Sequence, residues 1–152
     1  MKTSCGLLSY AYAPAGVTVL LVHPGGPYWR GKDKGAWSIP KGLAEPDEDL
    51  LAAARREFVE ETGFTSTPPF LALTPLKQRS GKTIHCWAFE GDHDLAAFKS
   101  TTFEMEWPPK SGGLVAFPEV DRAETFSIEE ARQRIAPAQR PFLEELLSRL
   151  GR

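Results

Sequence analysis

Apolar-rich segments near the start of the chain, at residues 4–12 and 17–23, have the composition of β-strands. The turn-forming sequence Ala13-Pro14-Ala15-Gly16 joins them. Short strands are also predicted at residues 37–39 and 103–107, and a hairpin is predicted from residues 70–78 and 83–90.

The clearest helical pattern covers residues 48–62, which are rich in helix formers and contain no glycine or proline. Asp47 is the expected N-cap residue, and Gly63 follows as a helix-ending glycine. Two more helices are predicted, one opened by Ser127 and one over residues 138–150. Strands mixed with three helices favour an α/β fold whose sheet is covered on both sides.

One face of the first helix changes from apolar to acidic along its length. Leu50, Ala53, Ala54 and Glu57 recur at spacings of three and four. Glu60 and Glu61 lie three and four residues beyond Glu57 and so flank the same face. Uncompensated carboxylates beside a buried stripe would be costly, or their pKa values would rise. A divalent cation is the simplest compensation, and carboxylates combined with substrate phosphates suit Mg²⁺, with Mn²⁺ as the alternative. The other interpretation is a solvated acidic helix end, although acid there opposes the helix dipole.

Composition limits the other functions that this chain can have. The net charge of −2 at pH 7 predicts no broad cationic surface for nucleic acid. No apolar run approaches the length of a membrane span, and the start lacks a secretory signal pattern. Cys5 and Cys86 lack metal-ligand spacing. We therefore expect one cytoplasmic domain over residues 1–152, which binds a small molecule and neither nucleic acid nor membrane.

The 23-residue stretch at residues 42–64 meets every specified position of the Nudix box. The matching residues are Gly42, Glu48, Arg56, Glu57, Phe58, Glu60, Glu61, Gly63 and Phe64. The chain thus resembles a Nudix hydrolase. The resemblance implies an α/β/α sandwich with a mixed β-sheet, and Mg²⁺-dependent water attack on a phosphorus of a nucleoside-diphosphate-linked substrate.

The resemblance also implies roles for individual residues. Glu57 and Glu61 would bind the metal, Glu60 would assist, and the Lys41 carbonyl would add a ligand. Glu48, Arg56 and the box glycines Gly42 and Gly63 would have structural roles.

The general base is less certain, because in the family it is either the box glutamate, Glu57 here, or a downstream acid. Glu104 and Glu106 alternate with apolar residues and would share one face of a strand. Glu104 is the preferred downstream candidate, as base or as further metal ligand, and Glu119 is a third choice. Two solvent-facing glutamates on an amphipathic strand are the alternative explanation.

Substrate contacts are expected from Lys41 and Lys82 on phosphates and from Tyr28 and Trp29 on a base. Trp37 suits core packing at least as well. The sequence Trp37-Ser38-Ile39-Pro40-Lys41-Gly42 resembles that of diadenosine polyphosphate hydrolases. Residues 106–112, followed by residues 117–122, resemble a group of bacterial NTP pyrophosphohydrolases. We expect a dinucleoside polyphosphate or an NTP. Diphosphoinositol polyphosphates, or a non-catalytic nucleotide-binding domain, are the alternatives.

Overall fold

A mixed sheet centred on the long first strand organises the protein. The computed structural model describes residues 2–152. Its strands are β1 (Thr3–Ala13), β2 (Gly16–Pro24), β3 (Lys41–Leu43), β4 (Leu71–Ala72), β5 (Leu76–Lys77), β6 (Thr83–Glu90), β7 (Thr102–Glu106), β8 (Leu114–Pro118) and β9 (Val120–Ser127). Its α-helices are α1 (Leu50–Thr62), α2 (Ile128–Arg134) and α3 (Arg140–Arg149).

The main sheet has the order β4-β6-β1-β2-β9, with β3 paired to β1 and β5 paired to β6. β1 and β6 run parallel, whereas the other pairs are antiparallel. β7 and β8 form a separate two-stranded ribbon. The mixed sheet predicted from the sequence is confirmed.

Each face of the sheet is covered by helix, because alternate residues of a strand point to opposite sides. Cys5 and Leu7 of β1 pack in a cluster with Phe58 of α1. Leu8 packs in the other cluster, with Phe142 of α3. The α/β/α sandwich is therefore confirmed, and α1 lies alone on its side of the sheet.

The start of α1 differs from the sequence prediction. Asp49, not Asp47, is the N-cap: its carboxylate accepts a hydrogen bond from the Ala52 N–H at 3.0 Å. Asp47 instead has a φ of 63°, a left-handed conformation that aspartate tolerates better than most residues. The C-terminal prediction holds, since Gly63 caps α1 with a φ of 78° and its N–H reaches the Val59 carbonyl at 2.7 Å.

Other predicted elements are present in shorter form. Residues 37–39 make isolated bridges from Ser38 to Val22 and from Trp37 to Ile135 instead of a strand. The predicted strand 70–78 is divided into β4 and β5, both antiparallel to β6. Among residues 2–152, no helix is both long and apolar enough to cross a membrane.

Candidate active site

The site begins where β3 brings the backbone of residues 41–43 against the last turns of α1. The pairing of Cys5 with Gly42 fixes β3 on β1. A Cβ at Gly42 would overlap the Glu57 carboxylate. Only glycine therefore allows this strand to lie against the acidic end of the helix.

Four carboxylates reach one cavity at this junction. The cavity has a volume of about 380 Å³, and its walls are Lys41, Gly42, Leu43, Glu57, Glu60, Glu61, Thr101 and Glu119. Glu57, Glu60 and Glu61 come from α1, whereas Glu119 comes from the break between β8 and β9. Backbone hydrogen bonds hold that break: the Thr101 N–H donates to the Glu60 carbonyl at 2.9 Å, and the Glu119 N–H donates to the Thr101 carbonyl at 2.8 Å.

Arg56 connects the acidic end of α1 to the preceding loop. Its Nε and Nη2 donate to the two Glu48 oxygens, each at 2.9 Å, in a bidentate pair. Its Nη1 donates to Glu57 at 2.9 Å and more distantly to Glu60 at 3.3 Å. The hydrogen bonds from Arg56 lower the pKa of the Glu48 carboxyl to about 2. Arg56 thus offsets part of the negative charge at Glu57 and Glu60.

Glu61 lies outside this Arg56 network. Burial, and then the neighbouring Glu57 carboxylate, raises the pKa of Glu61 to about 8, with Lys41 opposing the rise. Burial also raises the pKa of Glu57, although its hydrogen bond to Arg56 opposes that rise. Negative charge at these two positions is therefore unfavourable without a further cation.

A second, mostly apolar cavity adjoins the acidic one. It has a volume of about 280 Å³, and its walls are Val22, Pro24, Trp29, Gly35, Ala36, Ser38, Ile39, Lys41, Glu61, Gln78, Val120, Ala136 and Gln139. Lys41 and Glu61 line both cavities. Gln139 is buried, and its amide is fixed by bonds from the Ile39 N–H at 3.0 Å and to the Ser38 hydroxyl at 3.0 Å.

Lys41 is the one cationic residue among the described residues that line either cavity. Burial lowers the pKa of its ammonium, and the charge of Lys82 lowers it further. An anion bound between the two cavities would offset both effects.

Several residues expected at the site lie elsewhere. Glu104 is exposed on β7 and is not among the residues that line the acidic cavity, because β7 pairs with β8 in the separate ribbon. Glu106 accepts backbone hydrogen bonds from Lys110 at 2.6 Å and Gly112 at 3.2 Å within that ribbon. Of the two downstream candidates, Glu119 lines the acidic cavity and Glu104 does not. The alternation of residues 103–107 indicated a face but not where the ribbon lies.

The aromatic residues considered for base contacts also differ in whether they line a cavity. Trp29 lines the apolar cavity, whereas Tyr28 is 60% exposed and packs edge-on against Trp107. Trp37 is fully buried in the core, which is the core-packing alternative predicted for it from the sequence. Lys82 lines neither cavity and acts on Lys41 through its charge.

Sequence reasoning missed Gln139 and Ser38 as cavity residues. No local motif marks them, because they meet across about 100 residues of chain through the packing of the segment before α3 against residues 38–39. Glu119 carried one weak signal, its place between two strand-forming segments.

Glu57 and Glu61 are the residues of this cavity that could hold a divalent cation. Among residues 2–152, no three or more His, Cys, Asp or Glu side chains form a group that could hold a metal ion. Mg²⁺ is commonly bound through one or two carboxylates, with water and substrate phosphates completing its coordination. Glu57 and Glu61, on one wall of an open acidic cavity, match that mode of binding.

Comparison with known proteins decides the family. A family model described as the NUDIX domain matches residues 10–146. The chain belongs to the Nudix family. The membership predicted from the Nudix box is thereby confirmed, and the match extends well beyond that motif.

Curated relatives match this Nudix chain over shorter segments. RNA pyrophosphohydrolase of Caulobacter vibrioides (strain NA1000 / CB15N) is 46% identical over 55 residues, which is 33% of this chain and 32% of that protein. An uncharacterized 17.7 kDa protein of Enterobacteria phage T4 is 36% identical over 88 residues, 56% of this chain and 57% of the phage protein. The chain thus spans about a third of the Caulobacter protein it matches.

Solved Nudix structures agree with the fold over nearly the whole chain. The NUDIX domain of Shewanella oneidensis NrtR, solved with ADP ribose, has a TM-score of 0.68 and 16% identity, and the match covers 97% of this chain and 87% of that one. A C. elegans Ap4A hydrolase, solved as a binary complex, has a TM-score of 0.67 and 20% identity, and the match covers 97% of this chain and 98% of that one. At such identities the likeness establishes the fold.

Proposed function

We propose that this Nudix protein is a Mg²⁺-dependent hydrolase that cleaves a pyrophosphate bond in a nucleoside-diphosphate-linked substrate, either a dinucleoside polyphosphate or an NTP. The observation that carries the proposal is the pair of adjoining cavities that share Lys41 and Glu61. One cavity suits a cation with phosphates and the other suits a base, so a nucleotide would span both.

The apolar cavity supports a nucleoside as the bound group. Its volume of about 280 Å³ lies at the lower end of small-molecule sites, and so it suits one part of a ligand. Trp29 offers an aromatic surface, and Gln78 offers an amide for hydrogen bonding to a base edge. Its walls therefore combine apolar contact with a few polar groups, as recognition sites usually do.

In the acidic cavity, we assign Glu57 and Glu61 to holding the cation, with Glu60 and the Lys41 carbonyl assisting. When bound, the ion supplies positive charge that offsets the phosphate oxygens and acidifies water. The Lys41 ammonium binds a phosphate of the substrate as a point charge. Gly42 keeps the Glu57 carboxylate in place by leaving room for it.

We assign the proton acceptor to Glu119. The Glu57 carboxylate is already bonded to Arg56 and packed on Gly42, which favours the role of ligand. Among residues 2–152, none donates a hydrogen bond to the Glu119 side chain, and Glu119 lines the same cavity. A free carboxylate there can accept a proton from the attacking water.

The pyrophosphate bond is supported by the name of the Caulobacter relative, RNA pyrophosphohydrolase. Diphosphoinositol polyphosphates are a weaker proposal, since Lys41 is the one cation that lines either cavity among residues 2–152. Mg²⁺ as the metal, the cytoplasmic location and the single domain over residues 1–152 stay predictions.

The test is a substrate panel with Mg²⁺ and with chelator. It contains dinucleoside polyphosphates, NTPs, ADP-ribose, NADH, diphosphoinositols and a 5′-triphosphate RNA, with products separated to show which phosphorus is attacked. We expect Mg²⁺-dependent cleavage of a dinucleoside polyphosphate or an NTP. Nucleotide binding without phosphate release would support the non-catalytic alternative instead. Preferential cleavage of the RNA would overturn the small-molecule assignment.

A further inference from the structure

His23 is a buried residue that the proposed chemistry does not use. It lies near the end of β2 and is 1% exposed. Its Nδ1 is 2.8 Å from an Asp121 carboxylate oxygen, and its Nε2 is 2.6 Å from the Lys32 carbonyl oxygen. Both partners are acceptors, so the ring satisfies both when each of its nitrogens donates a hydrogen. His23 therefore ties β9 on one side to the loop of residues 25–36 on the other.

A second anchor on the same loop lies next to the first. The indole Nε1 of Trp37 donates to Asp33 at 2.8 Å, and Arg134 donates to the same carboxylate oxygen at 3.1 Å. The His23 ring packs edge-on against Trp37 with centroids 5.2 Å apart, and the Arg122 guanidinium lies 5.0 Å from the centre of the Trp37 ring. Buried side chains thus bind two consecutive residues of the loop, Lys32 and Asp33.

The residues on either side of these anchors form a wall of the apolar cavity. Trp29, Gly35 and Ala36 all line it. The Lys32 ammonium lies 5.4 Å from the centre of the Trp29 ring, which connects the first anchor to the aromatic surface. The carboxylates Glu57 and Glu61 belong to α1, a separate element.

We propose that His23 is a positioning residue that holds the 25–36 loop in the arrangement that completes the apolar cavity. It acts through the Lys32 carbonyl on the wall that carries Trp29, and so it controls substrate binding and not the hydrolytic step. The nature of the ligand rests on the function proposed above, whereas the anchoring of the loop does not.

The expected consequence is a separation of KM from kcat. A loop that is correctly placed for only a fraction of the time weakens apparent affinity by that fraction. Substrate that does bind is still hydrolysed by Glu119 and the groups of α1, none of which belongs to the loop, so kcat is preserved. Glutamine cannot replace histidine here, because both of its amide hydrogens are on one nitrogen and cannot donate in two opposite directions.

The test compares His23→Gln with Asp121→Asn and with the control His93→Gln. His93 is another partly buried histidine, bonded to Ser9 at 2.8 Å and stacked on Phe64 away from the loop. We expect His23→Gln to raise KM about tenfold or more, the scale of a lost charged hydrogen bond, with kcat per folded enzyme within about threefold of wild type. Asp121→Asn, which keeps an oxygen acceptor, should raise KM less, and His93→Gln should leave KM unchanged. An unchanged KM in His23→Gln, or a fall in kcat alone, would overturn the proposal.

A second readout does not need a substrate. The loop carries three sites for trypsin, at Arg30, Lys32 and Lys34. We expect native-state cleavage there to be about tenfold faster in His23→Gln than in wild type, since a lost charged hydrogen bond raises the open fraction on that scale, and unchanged in His93→Gln. If the wild-type protein hydrolyses nothing in the panel, the proposed function fails but this measurement still decides the role of His23. Equal cleavage rates in His23→Gln and wild type would contradict the proposed role of His23. If His23→Gln does not fold, Asp121→Ala removes the hydrogen bond between His23 and Asp121 and is measured in its place.

Discussion

Individual glutamates of the acidic cavity differ because their neighbours differ. Glu57 and Glu60 share the Arg56 guanidinium, whereas Glu61 lies closer to the buried interior and outside that network. Burial raises the pKa of both Glu57 and Glu61, but a hydrogen bond from Arg56 opposes the rise only at Glu57.

The assignment of the proton acceptor predicts opposite outcomes for two downstream acids. Glu119→Gln should lower kcat by a factor of about 10² to 10⁴, the usual contribution of a general base. Glu104→Gln, on the exposed ribbon, should have a kcat within about threefold of wild type, as expected for a surface substitution. Steady-state kinetics on the best substrate of the panel checks both. The reverse ranking would restore Glu104 as the functional residue.

Gly42 supplies another residue-level prediction. In Gly42→Ala the new Cβ must displace the Glu57 carboxylate, and displacement of a catalytic group by about 1 Å can cost about 100-fold in rate. The control is Gly113→Ala, whose added Cβ would meet one atom, the Ser111 hydroxyl, at 3.8 Å. Turnover and Mg²⁺ affinity of the two variants are the measurements. Equal activity in both would show that the close approach at Gly42 has no functional role.

At the scale of elements, the sequence predicted α1 well and its beginning poorly. The helix formers, the apolar stripe and Gly63 all acted locally, so their signals were present in the sequence. Both Asp47 and Asp49 are suitable N-cap residues, and the choice depends on backbone geometry that the loop before α1 imposes. Helix ends are therefore predicted less reliably than helix interiors.

The corrected cap can be tested by a matched pair of substitutions. Asp49→Ala removes the hydrogen bond to the Ala52 N–H and should lower the free energy of unfolding by about 1 kcal/mol. Asp47→Gly should be neutral or slightly stabilising, because glycine adopts the left-handed conformation at no steric cost. Chemical denaturation measures both. A larger loss in Asp47→Gly than in Asp49→Ala would return the cap to Asp47.

Across the whole molecule, the sequence predicted the sandwich and the box carboxylates but not the composition of the site. Contacts between residues far apart in sequence, such as Ser38 with Gln139 and His23 with Asp121, depend on how the layers pack. The ribbon of β7 and β8 illustrates the same limit. Its alternating pattern is ordinary, and the hydrogen bonds beside its ends, from Thr101 to Glu60 and from Gly25 to Glu119, join residues far apart in sequence. Substrate recognition was therefore the part least accessible from the chain alone.

The raised pKa of Glu61 predicts how stability depends on pH in metal-free protein. Its carboxyl titrates near 8 when folded and at an ordinary 4.5 when unfolded, so between these values the folded state binds the extra proton. Stability contributed by Glu61 therefore falls as pH rises from about 4.5 to about 8. The lowered pKa of Glu48 has the opposite effect, because the stability that Glu48 contributes is lost as pH falls from 4.5 to about 2.

Thermal unfolding in chelator at pH 5, 6 and 7 measures this dependence. We expect Tm to fall with pH in wild type, to fall less in Glu61→Gln, and to recover when Mg²⁺ is added. Parallel curves for the two proteins in chelator would show that Glu61 does not carry the effect.

We propose that Glu57 and Glu61 hold a magnesium ion that pyrophosphate cleavage requires. Turnover of the best substrate as a function of Mg²⁺ concentration tests it most directly, in wild type, Glu57→Gln, Glu61→Gln and the exposed control Glu129→Gln. We expect a wild-type rate that disappears in chelator, a loss of at least about 100-fold in each of the two cavity variants, and no loss in the control. Near-wild-type rates in Glu57→Gln or Glu61→Gln would contradict it.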